Sequence, residues 1–140
     1  MTRSDARAIV AALQKQPAFA SCDRRDLQDL AEHAERSSVP ARWPLIHQQT
    51  PSDACYVILD GEASVTVGGE QVATISAGAV VGETGIAGHK LRNASVTSIT
   101  ALELLHIGAE EFIALTERRP ALKAALLSRT KDAAAATADA

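Results

Sequence analysis

Aromatic residues are scarce: Phe19, Trp43, Tyr56 and Phe112 stand within an aromatic share of 3% in 140 residues. A platform that stacks single-stranded bases needs more of them. Positive charge is not in excess either, with 14 Lys and Arg against 17 Asp and Glu and a net charge of −3. A domain built to coat nucleic acid usually has a basic balance, so no direct nucleic-acid binding is expected. No uncharged apolar run approaches the roughly 18 residues of a membrane span. The opening MTRSDARAIV is too polar for a secretory leader. Only two cysteines occur, Cys22 and Cys55, far apart and without a CxxC. The expectation is a reduced, cytoplasmic protein whose two thiols are small core or surface residues. The histidines His33, His47, His89 and His106 are isolated, without HxH or HExxH spacing, so no metal is expected. Ser64, Ser95 and Ser98 lie outside any GxSxG elbow, which leaves serine catalysis without support.

What is present points to one folded domain. Hydrophobic residues make up 46% and charged residues 22%, enough to build a core without staples. All eight glycines fall between Gly61 and Gly108. Glycine marks tight turns and is disfavoured inside helices, so strands are expected in the middle and helices at the ends. Ile9, Val10 and Leu13 have the spacing of a short amphipathic helix broken before Pro17. A second helix is expected with Ser21 as N-cap, an apolar face of Leu27, Leu30, Ala31 and Ala34, and an end at Pro40. Alternation then takes over in Tyr56–Leu59, Ala63–Val67, Gln71–Ile75, Ala94–Ile99 and Ala101–Ile107. Gly68-Gly69 between two such runs predicts a β-hairpin. Helical spacing returns at Phe112, Ile113 and Leu115, is interrupted by Pro120, and resumes at Leu122, Ala125 and Leu126. The fold class expected is mainly β with flanking helices: a jelly-roll-like barrel with an N-terminal helical bundle and C-terminal lid helices. Residues 1–132 are expected to form the single domain, and the Ala-rich residues 133–140 a disordered tail.

The densest signal lies between Gly78 and Val96. Gly82, Gly85 and Gly88 recur every three residues, which is neither GxGxxG in a βαβ unit nor a P-loop, since no GK[ST] follows. The segment combines a glycine turn, a very short helix opening at Glu83, and Arg92 nine residues further on. Free amides and a guanidinium fork suit phosphate oxygens. An ionised carboxylate only accepts hydrogen bonds and suits sugar hydroxyls. A ribose fused to a phosphate ring asks for that combination.

The chain resembles the cyclic nucleotide-binding domain family on these residues. The family's phosphate-binding cassette corresponds here to Val81-Gly82-Glu83-Thr84-Gly85-Ile86 and Leu91-Arg92-Asn93-Ala94-Ser95-Val96. Gly78 and the segment Tyr56-Val57-Ile58-Leu59-Asp60-Gly61-Glu62-Ala63 fit as well, and the likeness covers about residues 9–128. The resemblance implies that Glu83 accepts from the ribose 2′-hydroxyl and Arg92 pairs with the cyclic phosphate. The amides of Gly82 and Ala94 would complete the anion site, with Thr84 and Asn93 in the same cassette. Val72, Val80 and Val81 would line an apolar wall. Two positions depart from the pattern. Leu91 replaces the usual proline, which removes a preset turn and no ligand contact. Asn93 stands where Ala, Ser or Thr is usual, and it could face phosphate or a guanine edge.

The expectation is a non-catalytic sensor of a 3′,5′-cyclic nucleotide, cAMP first and cGMP second, with no further cofactor. Too few residues follow Pro120 for a helix-turn-helix, so the signal is expected to leave a stand-alone domain through a protein partner or self-association. The alternative is a barrel scaffold that binds protein and no nucleotide, with Glu83 and Arg92 as a structural ion pair. A small cupin-type enzyme is the more distant alternative.

Overall fold

Apolar spacing of three and four residues makes the first helix, α1 (Arg3–Gln14), which buries Ile9, Val10 and Leu13. A 3-10 turn at Pro17–Phe19 follows and buries Phe19. The computed structural model describes residues 3–46, 54–82 and 94–127.

Helix α2 spans Arg24–Glu32 and buries Leu27, Leu30 and Ala31. Its N-cap is Asp23 and not Ser21. The Asp23 carboxylate accepts from the Asp26 amide at 2.8 Å, and Asp26 accepts from the Asp23 amide at 3.0 Å. Each carboxylate satisfies an otherwise orphaned donor, a reciprocal arrangement that the hydroxyl of Ser21 cannot offer from its position. The helix also stops well before Pro40. Residues Glu35–Val39 form strand β1, and Ala34 is buried just beyond the helix end.

The remaining strands are β2 (Pro44–Ile46), β3 (Ala54–Asp60), β4 (Glu62–Val67), β5 (Glu70–Ser76), β6 (Val80–Val81), β7 (Ser95–Ser98) and β8 (Leu102–Gly108). They form two four-stranded sheets, ordered β1-β8-β3-β6 and β2-β7-β4-β5, with every pairing antiparallel. The hairpin expected at Gly68-Gly69 joins β4 to β5. Both glycines have positive φ, +59° and +85°, as a two-residue turn of the primed type requires. Helices α3 (Ala109–Arg118) and α4 (Pro120–Leu127) close the described chain. Pro120 interrupts the apolar spacing as expected, and it does so as the first residue of α4, where its missing N–H is no loss. Ile113 is 38% exposed, so the apolar face of α3 is Phe112 and Leu115 without it.

The sheet β1-β8-β3-β6 buries both faces. Toward the helices point Cys55, Val57, Leu59, Val80, Leu105 and Ile107, packed with Leu30, Phe112, Leu115 and Leu126. Toward the second sheet point Ile58, Val81, Leu102 and Leu104, packed with Ala63, Val65, Ile75, Ala94 and Val96. This is the jelly-roll architecture with flanking helices that the alternating runs predict. The turn between β1 and β2 is pinned by Ser98, which is 2% exposed. Its hydroxyl donates to the Pro40 carbonyl at 2.6 Å and accepts from the Trp43 amide at 2.7 Å, so this buried polar group is satisfied.

Candidate functional site

In sequence, the candidate cassette lies between β6 and β7. Glu83, Thr84, Arg92 and Asn93, with the rest of residues 83–93, lie outside the described residues. What the structure fixes is the frame on either side. Strand β6 pairs with β3, with Val81 opposite Tyr56 and Val80 opposite Val57. Its approach is tied down by the Gly78 amide donating to Ile58 at 2.8 Å and the Ile58 amide donating to Ala79 at 2.9 Å. Gly82 follows, buried, at φ +90°. An L side chain there would adopt a backbone shape that costs roughly 1–2 kcal/mol. The chain therefore turns out of the strand at the one residue type that does so without strain. At the far end Ala94 is fully buried in the same barrel core as Val81. Both ends of the segment are thus anchored to one apolar cluster.

Five of the sequence-derived candidates, Gly82, Val81, Ala94, Val80 and Val72, lie among the described residues. Val81 and Ala94 share the barrel core, and Gly82, next to Val81 in the chain, is buried. Val80 does not join them: successive strand residues point to opposite faces, and Val80 packs in the helix-side core. Val72 stands apart as well. It is 52% exposed on β5. The register slips there, with Val65 opposite Ala73 but Thr66 opposite Gln71, which leaves Val72 as the extra residue of a β-bulge. Ala73 and Ile75, not Val72, are the residues of β5 that pack against the barrel core.

Two further side chains lie in the row that Val81 ends, Tyr56 beside it and His106 beyond Tyr56. Tyr56 lies opposite Val81 on one side and opposite His106 on the other. The Tyr56 and His106 rings meet edge to face, with centroids 5.4 Å apart and planes at 65°. His106 is half-buried, as its place in an alternating strand predicts. The signal for this row was the period-two pattern of Tyr56 and Ile58; the missing piece was which strand would lie beside it.

Chemically, the described part of the site offers apolar walls, a glycine turn and the buried backbone at Ala94. Among the described residues no group of three or more His, Cys, Asp or Glu is arranged to hold a metal ion. No helix among them is long and apolar enough to cross a membrane.

The sequence profile of the cyclic nucleotide-binding domain matches residues 36–119. Uncharacterized NTE family proteins of Mycobacterium tuberculosis and Mycobacterium bovis are 32% identical over 117 residues. That alignment takes in 83% of this chain and 20% of theirs, so the chain spans about a fifth of the length of these curated relatives. Among solved structures, the regulatory domain of Toxoplasma gondii protein kinase A with cAMP superposes with a TM-score of 0.70. It has 24% identity and covers 86% of this chain and 49% of that one. The regulatory subunit of a cAMP-independent protein kinase A from Trypanosoma brucei superposes with a TM-score of 0.76. It has 18% identity and covers 86% of this chain and 45% of that one.

Proposed function

The chain belongs to the cyclic nucleotide-binding domain family, and from that premise we propose that residues 82–94 bind a 3′,5′-cyclic nucleotide, cAMP in the first place. The observation that carries this reading is the pairing of Gly82-Glu83 with Arg92-Asn93-Ala94, set between two anchors in one barrel core. Arg92 supplies a charged fork for the cyclic phosphate, and the amides of Gly82 and Ala94 supply neutral donors. Glu83 accepts from the ribose 2′-hydroxyl. Thr84 and Asn93 complete the polar lining. Val81 walls the apolar side from inside the barrel, and Val72 reaches the ligand only from the rim. Val80 acts through packing on the helices and not by contact. The family profile and a neighbour solved with cAMP support the reading.

The domain is regulatory in this proposal and carries out no chemistry. Residues 1–132 act as one unit, and its output passes to a partner protein, to a second copy or to further segments of a larger chain. The mycobacterial relatives, of which this region is a fifth, support a module that serves a larger protein. A cytoplasmic setting, where cyclic nucleotides are made, fits the two thiols.

The second reading is a barrel scaffold that binds protein and no nucleotide. A neighbour of the same fold described as cAMP-independent favours it, because the fold by itself does not fix the ligand.

Calorimetric titration with cAMP, cGMP and 2′-deoxy-cAMP separates the two. We predict saturable cAMP binding, weakened both by Glu83→Ala and by loss of the 2′-hydroxyl. Each change removes the same contact, so in a double cycle the two losses overlap. Full additivity would remove Glu83 from the ribose, and no binding of any cyclic nucleotide would leave the scaffold reading.

A further inference from the structure

The joint between α3 and α4 is gripped from the side by α2. Arg118 ends α3. Arg119 follows it, donating its amide to Leu115 at 3.0 Å and accepting from the Lys123 amide at 3.0 Å, so one residue closes one helix and opens the next. Asp29, on α2, receives both arginines. Arg118 approaches it as a fork, Nε to Oδ2 and Nη2 to Oδ1, each at 2.8 Å. Arg119 adds Nε to Oδ2 at 2.7 Å and reaches Asp26 Oδ1 with Nη1 at 3.3 Å. His33 Nδ1 lies 3.1 Å from Asp29 Oδ1, one turn along the same helix. Just before α2, the Cys22 thiol donates to the Ala121 carbonyl at 3.5 Å, in the first turn of α4. These contacts bring together residues about 90 positions apart in sequence. They fall on Arg118, Arg119 and Ala121, on both sides of Pro120.

Past the Cys22–Ala121 contact, α4 is held among the described residues by its apolar stripe. Leu122, Ala125 and Leu126 are buried in the helix-side core, not in the barrel. Pro120 cannot join α4 to α3 as one continuous hydrogen-bonded ladder. A short helix beyond such a break, fixed by a small apolar stripe, is a cooperative unit able to open without the rest of the fold.

We propose that Asp29 is the clasp of a two-state element, holding the Arg118–Arg119–Pro120 joint so that α4 stays docked against α2. Asp26 and Cys22 are its secondary points of attachment. This goes beyond the ligand reading and does not depend on it, since the docked state and its clasp are properties of the chain without nucleotide.

The Cys22 thiol provides the readout. Burial, and after it the carboxylates of Asp26 and Asp23, push its pKa up to about 11, so it reacts slowly while α4 is docked. Asp29 is not among those causes, so its replacement reports access to Cys22 through the clasp. Asp29→Asn keeps the shape and removes the charge that both arginines share. In ligand-free full-length chain we expect iodoacetamide to alkylate Cys22 about tenfold faster in this variant, located by peptide mass mapping. Amide exchange across residues 119–127 should rise by a similar factor, while β3 and β8 keep their protection. Arg118→Gln should move both readouts less, because Arg119 still engages Asp29. Glu103→Gln, which breaks the distant Arg36–Glu103 pair at 2.7 Å, should move neither. Unchanged alkylation and exchange in Asp29→Asn would overturn the clasp. So would a rise shared equally by β3 and β8, which would mark Asp29 as an ordinary contributor to global stability.

Discussion

The two faces of the sheet β1-β8-β3-β6 are built from different materials. Toward the helices the core is large and partly aromatic, with Phe19, Phe112, Leu13, Leu27 and Leu115. Toward the second sheet the fully buried residues are aliphatic and fewer, Ala63, Val65, Val81, Ala94 and Val96 among them, with Tyr56 packed against them. The means of attachment also differ. The barrel is fixed by backbone ladders between strands, which constrain every residue along the pairing. The helices are fixed by side-chain packing and by the carboxylates of α2. A ladder gives way as a unit, whereas a helix held by side chains can lift by itself. The two regions nevertheless meet on one strand, at consecutive residues. Val81 faces the barrel beside the candidate cassette, and Val80, the next residue, faces the helices. Any displacement of β6 is therefore felt on both sides.

The largest expected effect tests whether the regions share one unfolding transition. Phe112→Ala, on the helix side, should cost about 3–5 kcal/mol, and Ile58→Ala, on the barrel side, about 2–5 kcal/mol. Because one sheet carries both cores, each variant should shift a single urea transition to lower denaturant. Two separated transitions in either variant would mean that the cores stand independently.

Acid should separate the regions more gently. The Arg118 guanidinium, and after it that of Arg119, holds the Asp29 carboxyl well below the usual carboxylate range, with burial opposing them. A carboxylate whose folded value is depressed stabilises fully above the unfolded value and loses that contribution as pH falls through the folded one. Asp29 keeps its charge above about pH 4, and below that the clasp should weaken steadily. Amide exchange, corrected for its intrinsic pH dependence, should rise first in α4 and later in β3. The reverse order would detach the acid response from Asp29.

Much of this architecture was legible in the sequence because period-two and helical spacings are local. Gly68-Gly69 named its hairpin, and Leu122, Ala125 and Leu126 named the buried face of α4. The edge strand β1 was not legible. Glu35, Arg36, Ser37 and Ser38 are all exposed, so no alternation marks them. Asp23 and not Ser21 caps α2, because it forms a reciprocal pair with Asp26, and the only local mark of that pair is its three-residue spacing. Val80 and Val81 could not be assigned to opposite cores without knowing that β6 lies beside β3. Nor could Val72 be placed at a bulge, since a bulge depends on the partner strand. The grip of Asp29 on Arg118 and Arg119 spans most of the chain and has no local signature. The cassette itself rested on residue types and spacing, which position Glu83 and Arg92 in the sequence alone.

Arg92 is the residue on which the functional account turns, and calorimetry of Arg92→Ala with cAMP tests it most directly. Arg92 lies in sequence between β6 and β7 and is assigned here to the ligand, so its loss should leave the circular dichroism spectrum and the urea midpoint of the whole fold in place. A charge-assisted hydrogen bond contributes roughly 1.5–3 kcal/mol, so cAMP affinity should fall at least about tenfold. Unchanged affinity in a folded Arg92→Ala protein would contradict the assignment of this segment to the cyclic phosphate.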